Sequence, residues 1–380
     1  MKIESWPQFD QEEQEAVIKV LKTGKVNYWT GSECKDFESQ FSKFCNVKFA
    51  LCLVNGSIAL ESSYEAIGLQ KEDELITTPR TFIATTMSAI RLGIKPVFAD
   101  VDEVTGCITA ETIEPLITKK TKAISVVHLG GWPANMQSIC DLAKSYNLYV
   151  IEDCAQAHGA MIKEGKIYKS VGSYGDIGAW SFCQDKIIST GGEGGMITTN
   201  SEKYYEYIWS KKDHGKTLNS IFKRKHPTGY RWVHDEIGTN YRMTEIQAAF
   251  GIQQLKKVNL FKIKKNQINK FYKKNINNKQ LFFQSSNFTY SSALIYFQVI
   301  FKKSKIRDMI AYHLNKNKIG ISVHWDPILE KHEIFKTKKF CKNSYDLSKK
   351  ILSIPLYPSL KRSDQIKIIK TINSYLEIEK

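Results

Sequence analysis

The sequence predicts an α/β protein with a largely parallel central sheet. Short apolar runs typical of buried strands alternate with segments of helical periodicity through the first two thirds of the chain. Strands joined through helices need crossover connections, and these place the strands in parallel. With 380 residues, 42% of them hydrophobic, the chain is long and apolar enough for two domains with a real core.

The predicted elements follow in a regular order. An amphipathic pattern at 10–23 closes at Gly24 and predicts a first helix. Strand-like runs lie at 49–54, 74–77, 95–101, 122–127, 148–152, 177–182 and 196–199. Helical stretches lie at 58–67, 83–92, 110–117, 133–146 and 244–255. The composition then shifts towards Lys, Asn and Ile, which predicts a large domain at 1–255 and a small C-terminal domain at 256–380.

Composition and charge argue against several classes of protein. No run of about 18 apolar residues occurs, so no membrane span is expected. Residues 1–6 lack a signal-peptide core, which predicts a cytoplasmic protein. The eight cysteines form no CxxC pair, and we expect buried free thiols rather than disulfides or zinc ligands.

The formal net charge of +16 raises the question of nucleic-acid binding. The lysines of 256–279 alternate with apolar residues at helical spacing, as on a solvated helix face, and no zinc finger, RNP motif or basic heptad accompanies them. We therefore favour attraction of an anionic small substrate such as a nucleoside diphosphate. A basic nucleic-acid-binding protein is the remote alternative and would bind DNA with a strong salt dependence.

Lys186 is the most informative residue. It follows the apolar run 177–182 in a polar turn, just before the glycine-rich run 191–195. Desolvation beside a buried strand favours a neutral amine, which can attack a carbonyl and form a Schiff base with pyridoxal phosphate (PLP). The glycine run matches neither GxxxxGK[ST] nor a GxGxxG that follows a strand, and no residues have metal-ligand spacing.

Further candidates lie at the carboxyl ends of other predicted strands, where active sites of parallel sheets form. Asp153 can hold a pyridine nitrogen protonated, or simply cap the next helix. Gly56 and Ser57 open a helix whose N–H groups form an anion site, with an ordinary turn as the alternative. Ser181 can add a hydroxyl to the same phosphate, or be a plain strand-end serine. Phe82 can stack on an aromatic ring, although a core phenylalanine is more frequent.

Eight segments carry a family resemblance. They read GKVNYWTG (24–31), NGS (55–57), TPRTFIA (78–84), FADVD (98–102), HLGGW (128–132), IEDCAQAHG (151–159), SFCQDKIISTGGEGG (181–195) and GTNYRMTEIQAA (238–249). In this order, they resemble the DegT/DnrJ/StrS family of PLP-dependent sugar aminotransferases over almost the whole chain. The resemblance implies a PLP-dependent transferase of fold type I, similar to aspartate aminotransferase. It also implies a smaller C-terminal α/β domain and a homodimer with shared active sites.

The resemblance implies a role for each candidate position. Lys186 forms the Schiff base with PLP, and Asp153 pairs with the pyridine nitrogen. The other implied cofactor contacts are Gln156 at the ring face or 3-hydroxyl side, Phe82 stacked on the ring, Gly56, Ser57 and Ser181 at the phosphate, and Asn240 reaching the phosphate of the other subunit. In relatives, the segments that line the sugar and nucleotide site include the positions of His214, Arg231 and His324. For each of these residues, a structural role in the core or at the surface is as frequent as a role in substrate binding.

Two departures refine the functional expectation. Cys183 and Gln184 replace the His-Pro of many members, which resembles a recognised subgroup. Lys186 argues against the branch in which histidine replaces this lysine and the enzyme is a sugar dehydratase. We expect amino transfer from L-glutamate to C4 of an NDP-4-keto-6-deoxyhexose, as in viosamine- or perosamine-type enzymes of O-antigen synthesis. Amination at C3, and a PLP-dependent dehydratase or regulator, are the alternatives.

Overall fold

The computed structural model describes residues 6–228, 233–276, 279–285, 290–335 and 340–376. Its α-helices are α1 (Gln11–Thr23), α2 (Glu33–Cys45), α3 (Gly56–Ala66), α4 (Ala84–Arg91), α5 (Ala110–Ile113), α6 (Met136–Ser145), α7 (Glu202–Lys211), α8 (Glu245–Asn275), α9 (Ser304–Lys316), α10 (Lys342–Lys350) and α11 (Arg362–Leu376). Its strands are β1 (Phe49–Leu53), β2 (Glu74–Thr77), β3 (Lys95–Phe98), β4 (Thr121–Val127), β5 (Tyr149–Asp153), β6 (Met161–Glu164), β7 (Ile167–Ser170), β8 (Ile177–Ser181), β9 (Gly195–Thr199), β10 (Leu281–Phe282), β11 (Tyr290–Ser291), β12 (Phe297–Phe301) and β13 (Ile351–Ile354).

The central sheet has seven strands in the order β1-β9-β8-β5-β4-β2-β3. The neighbours from β8 to β3 pair in parallel, and β9 runs antiparallel to both β8 and β1. Six strands therefore point the same way, and their carboxyl ends share one edge. The predicted α/β class with a mostly parallel sheet is confirmed.

Helices cover both faces of this sheet, as a buried parallel sheet requires. On β1, Ala50 and Cys52 pack into one apolar cluster, while Leu51 and Leu53 pack into another on the opposite face. The first cluster receives side chains of α2, α6 and α8, and the second receives those of α3, α4 and α7. Burial on both faces explains why the strands read as nearly continuous apolar runs.

The C-terminal region builds a second core. β10, β12 and β13 form an antiparallel sheet, and α9 and α11 pack with it in a separate apolar cluster. The 31-residue helix α8 runs from the first core to this one. The predicted division at 255/256 falls inside α8 and remains a prediction. β11 pairs with β6 of the large α/β part.

Several sequence-based boundaries differ from the structure. The helix predicted at 244–255 extends to Asn275, because apolar residues continue to reach both cores along it. The helix predicted at 110–117 ends as α5 at Ile113, and Pro115 lies in the 3₁₀ turn that follows. The elements α2, α7 and the β6–β7 hairpin were missed.

The cysteine prediction holds, with one adjustment. All eight cysteines are free thiols, and six are buried. Cys140 and Cys183 are only partly buried, and Cys183 lines the cavity described below. In the part of the chain that the structure describes, no helix is both long and apolar enough to cross a membrane.

Candidate active site

A cavity of about 620 Å³ opens at the carboxyl edge of the central sheet. The ends of β5 and β8 and the N-terminus of α3 line it. Tyr296, His324 and Trp325 of the C-terminal region line it as well. The fold therefore brings the predicted residues of the first 186 positions together with groups from far along the chain.

Lys186 lies in the turn after β8, and its side chain is 12% exposed. Its Nζ is 3.5 Å from the Asp185 carboxylate. The glycine run folds back onto this turn, since the Phe182 N–H donates to Gly194 O at 2.8 Å and the Gln184 N–H donates to Gly192 O at 2.9 Å. These backbone bonds fix the segment that presents the lysine to the cavity.

Asp153 is the last residue of β5, and it is buried and lines the cavity. Its Oδ2 accepts a hydrogen bond from Thr85 Oγ1 at 2.7 Å, and its Oδ1 accepts one from the Ala155 N–H at 3.1 Å. Burial raises the pKa of the Asp153 carboxyl, while these two hydrogen bonds and the charge of Lys186 act in the opposite direction. A carboxylate so placed can pair with a protonated ring nitrogen.

The N-terminus of α3 supplies an anion site. Asn55 caps this 11-residue helix by accepting from the Ile58 N–H at 2.9 Å, so that Gly56 and Ser57 become its first residues. A Cβ on Gly56 would lie 2.6 Å from the Cβ of Ser181, so the helix end and the end of β8 meet too closely for any side chain. Helix N–H groups and the two serine hydroxyls therefore share one rim of the cavity.

Two further predicted residues line the same cavity. Phe82 precedes α4, and 56% of its surface is exposed, so its ring is free to contact a ligand. Gln156 is buried, and its Oε1 accepts from the Gly130 N–H at 2.8 Å. This bond leaves the amide NH2 of Gln156 as the group that can face a ligand.

Of the two substrate candidates that the structure describes, His214 and His324, only His324 lines the cavity. Its Nδ1 is 2.9 Å from Ser353 Oγ, and its ring packs on Tyr296 with centroids 4.0 Å apart. Burial, with the nearby Arg80 charge, lowers the pKa of His324 to about 4. At neutral pH this imidazole is uncharged and can only donate or accept a hydrogen bond.

The other candidates lie elsewhere. His214 is exposed, and its backbone carbonyl is 2.6 Å from His234 Nδ1. Asn240 is also exposed, and it pairs with Asp213 in an isolated β-bridge. Neither residue lines this cavity in the chain itself. Arg231 lies outside the described residues.

Sequence reasoning missed Thr85, Tyr296 and Trp325. Thr85 comes directly after the segment TPRTFIA (78–84), so the family motif ended one residue before it. Tyr296 and Trp325 come from the C-terminal region, where no local pattern relates them to Lys186. Only the tertiary fold brings these aromatic rings to the cavity.

A buried cluster that does not line the cavity has the composition of a metal site. One potential ligand atom each of His128, Glu152 and Cys154 lies within 4.8 Å of the others. The Glu152 carboxylate, however, accepts three backbone N–H groups from loop 172–175 and contacts His128 Nε2 at 3.1 Å. His128 Nδ1 accepts from the Ala134 N–H, so Nε2 carries the proton and donates to Glu152. We read the cluster as a structural hydrogen-bond network.

Comparison with known proteins identifies the family. The model of the DegT/DnrJ/EryC1/StrS aminotransferase family matches residues 7–373. The chain belongs to this family. It is 34% identical to the GDP-perosamine synthase of Escherichia coli O157:H7 over 377 residues, which is 97% of each chain. It is 31% identical to the dTDP-3-amino-3,6-dideoxy-alpha-D-galactopyranose transaminase of Aneurinibacillus thermoaerophilus, covering 97% of this chain and 96% of that one.

The solved structures agree with this assignment. The X-ray structure of the aminotransferase from Psychrobacter cryohalolentis matches with a TM-score of 0.91 and 38% identity, over 99% of both chains. The chain is therefore an aminotransferase with the predicted fold type. Enzymes of the DegT/DnrJ/EryC1/StrS family use PLP.

The residues around the cavity fit PLP. The end of α3 and the Ser181 hydroxyl offer donors to a phosphate, at a point where Gly56 leaves room that a Cβ would fill. Asp153 offers a buried carboxylate for the pyridine nitrogen, Phe82 an open aromatic face, and Lys186 a primary amine. Each part of the cofactor thus has a chemically suitable group in one cavity.

Proposed function

We propose that this enzyme transfers an amino group from L-glutamate to a nucleotide-linked keto-deoxysugar. The observation that supports it best is the presence of Lys186 and Asp153 in one cavity with the anion site of α3. This arrangement matches the needs of PLP at both ends of its ring. The family and the names of the relatives support the sugar as the amino acceptor.

Bound PLP supplies an electron sink for the electrons of a broken C–H bond. Asp153 would keep the pyridine nitrogen protonated, which the electron sink requires. Lys186 would act as a general base that takes the proton from the α-carbon of glutamate, and then as a general acid that gives this proton to C4′ of the cofactor. The α3 N-terminus and Ser181 would hold the phosphate, and Phe82 would contact the ring, which would keep the cofactor beside Lys186.

For the acceptor we propose C4 of an NDP-4-keto-6-deoxyhexose, with the product used for O-antigen or another surface polysaccharide. The relative from E. coli O157:H7 is named a GDP-perosamine synthase. Amination at C3 is the second candidate, because a relative of similar identity is named a dTDP-3-amino-sugar transaminase. The nucleotide is not specified by the proposal and is a variable of the assay.

We also propose a homodimer with shared active sites, in which Asn240 reaches the phosphate bound by the partner. Among the described residues that line the cavity, Lys186 is the only lysine or arginine, and His324 is neutral. Glutamate and a sugar nucleotide are both anionic, so one chain offers them little positive charge. An exposed Asn240 outside its own cavity is compatible with a role in a second subunit.

The first test is an assay of 2-oxoglutarate release from L-glutamate over a panel of dTDP-, UDP- and GDP-linked 3-keto and 4-keto sugars. The wild type should be active with a 4-keto sugar, and Lys186→Ala should lose both turnover and the absorbance at about 410–420 nm. Lys305→Ala, an exposed lysine on α9, is the control and should behave as wild type. Retained turnover and absorbance in Lys186→Ala would refute the proposal.

The second test mixes two inactive variants. If Asn240 acts in the partner's site, a dimer of one Lys186→Ala and one Asn240→Ala subunit contains one intact site. Random mixing of equal amounts should then restore about a quarter of wild-type activity. Absence of any recovery in confirmed mixed dimers would exclude this role for Asn240.

A further inference from the structure

A short chain of hydroxyl groups ends at Asp153. Thr85 Oγ1 is 2.7 Å from Asp153 Oδ2, and Thr81 Oγ1 is 3.1 Å from Thr85 Oγ1. Thr85 is on the first turn of α4, and Thr81 lies just before that helix. All three side chains are buried, with relative exposures of 6% for Asp153, 1% for Thr85 and 3% for Thr81.

The direction of these hydrogen bonds follows from counting hydrogens. Thr85 has one hydroxyl hydrogen, and its shortest contact is to Asp153, compared with 3.3 Å to the carbonyl of Phe82. Donation to Asp153 requires Oδ2 to be an acceptor, as it is in an ionised carboxylate. Thr81 must then donate to Thr85, since the single hydrogen of Thr85 is already used. The chain of donors therefore runs towards Asp153.

We propose that Thr85, supported by Thr81, is a positioning residue that keeps Asp153 ionised and fixed in orientation for the pyridine nitrogen of PLP. The inference rests on the proposed function, because it assumes that PLP binds in this cavity. With Thr85 at Oδ2 and the Ala155 N–H at Oδ1, each oxygen has a second acceptor site for the cofactor.

The effect of Thr85 is significant because other forces oppose ionisation of Asp153. Burial raises the pKa of this carboxyl, and the hydrogen bond from Thr85 is the largest of the factors that lower it. Among the described residues, the charged or titratable groups that interact with Asp153 are Lys186, His128, Tyr64 and the adjacent Cys154. Removing the Thr85 hydroxyl raises the pKa of Asp153 further, so a larger fraction is neutral at a given pH. A neutral carboxyl cannot stabilise the protonated pyridine.

The test compares Thr85→Val, which keeps the shape but loses the hydroxyl, with Thr85→Ser, which restores it. Thr86→Val is the matched control, since Thr86 is the next buried threonine and its hydroxyl donates to the carbonyl of Ile83. The readouts are the Kd of PLP between pH 5.5 and 8.5 and the Kd of 1-deaza-PLP, an analogue without the pyridine nitrogen. A hydrogen bond to a charged group gives an expected weakening of PLP binding by about tenfold in Thr85→Val.

We expect Thr85→Val to lose PLP affinity most at the acid end, where the neutral form of Asp153 is favoured, and to bind 1-deaza-PLP like the wild type. Thr81→Val should show a smaller loss in the same direction, and Thr85→Ser and Thr86→Val almost none. The proposal would be overturned if Thr85→Val lost equal affinity for PLP and for 1-deaza-PLP, or if it lost no affinity for PLP. If Thr85→Val does not fold, the affinities for PLP and 1-deaza-PLP are compared in Thr81→Val and Thr85→Ala instead. Failure of the wild type to bind PLP would instead refute the proposed function.

Discussion

Replacing Gly56 by alanine tests the contact between α3 and β8. The added Cβ would lie 2.6 Å from the Cβ of Ser181 and 3.2 Å from its Cα. Carbon atoms pack best at about 3.5–4.0 Å, so the helix end and the strand end must separate by about 1 Å. Overpacking of this kind costs about 1–3 kcal/mol and should lower the Tm of a 380-residue chain by about 1–4 °C.

The same displacement should weaken cofactor binding. Losing one hydrogen bond to a charged phosphate costs about 1.5–3 kcal/mol, which is a ten- to hundredfold increase in the Kd of PLP. Absorbance titration with PLP and thermal unfolding, with and without PLP, measure the two effects separately. Gly320→Ala is the control, because no atom lies within 4 Å of the Cβ it would add. If Gly56→Ala matches Gly320→Ala in both Tm and PLP affinity, the close contact does not shape the anion site.

Three further predictions concern stability. Glu152→Gln should destabilise the fold by about 3–5 kcal/mol in urea unfolding, because it breaks a buried network. Burial raises the pKa of Glu152, but the hydrogen bonds from His128 and from backbone N–H groups outweigh burial and lower that pKa below its usual value. The stability contributed by ionised Glu152 is fully present above the pKa that a glutamate has in the unfolded chain, and it is lost as the pH falls through the lowered folded-state pKa. The Glu152→Gln variant should therefore lose less stability between pH 5 and 3 than the wild type. Lys212→Met leaves Glu38 buried without the amine that lies 3.6 Å away, and a similar loss of about 3–5 kcal/mol is expected in the same assay. Asn55→Ala removes the cap of α3 and should cost about 0.5–2 kcal/mol, with Asn55→Asp close to wild type.

The sequence predicted the place of a site residue best where a single strand determines that place. Asp153 and Ser181 could be assigned to strand ends because β5 and β8 are short, continuous apolar runs, and parallel strands share one carboxyl edge. Thr85 gave no such signal, because its contact with Asp153 depends on how α4 packs over β5. Tyr296 and Trp325 depend on where the C-terminal region lies against the large sheet. Side-chain contacts between distant elements are therefore what the sequence could not specify.

The distribution of charge explains why a single cavity can serve both ends of the cofactor. In the proposed mode of binding, the phosphate would meet helix N–H groups and hydroxyls, which attract an anion without a cationic side chain. A lysine or arginine at that rim would compete with Lys186 for the nearby carboxylates and would add positive charge beside an amine that must react in its neutral form. Because the proposed anion site is built from backbone N–H groups and neutral hydroxyls, Lys186 would remain available for chemistry, while Asp153, held by the hydrogen bond from Thr85, would provide the balancing negative charge at the ring nitrogen.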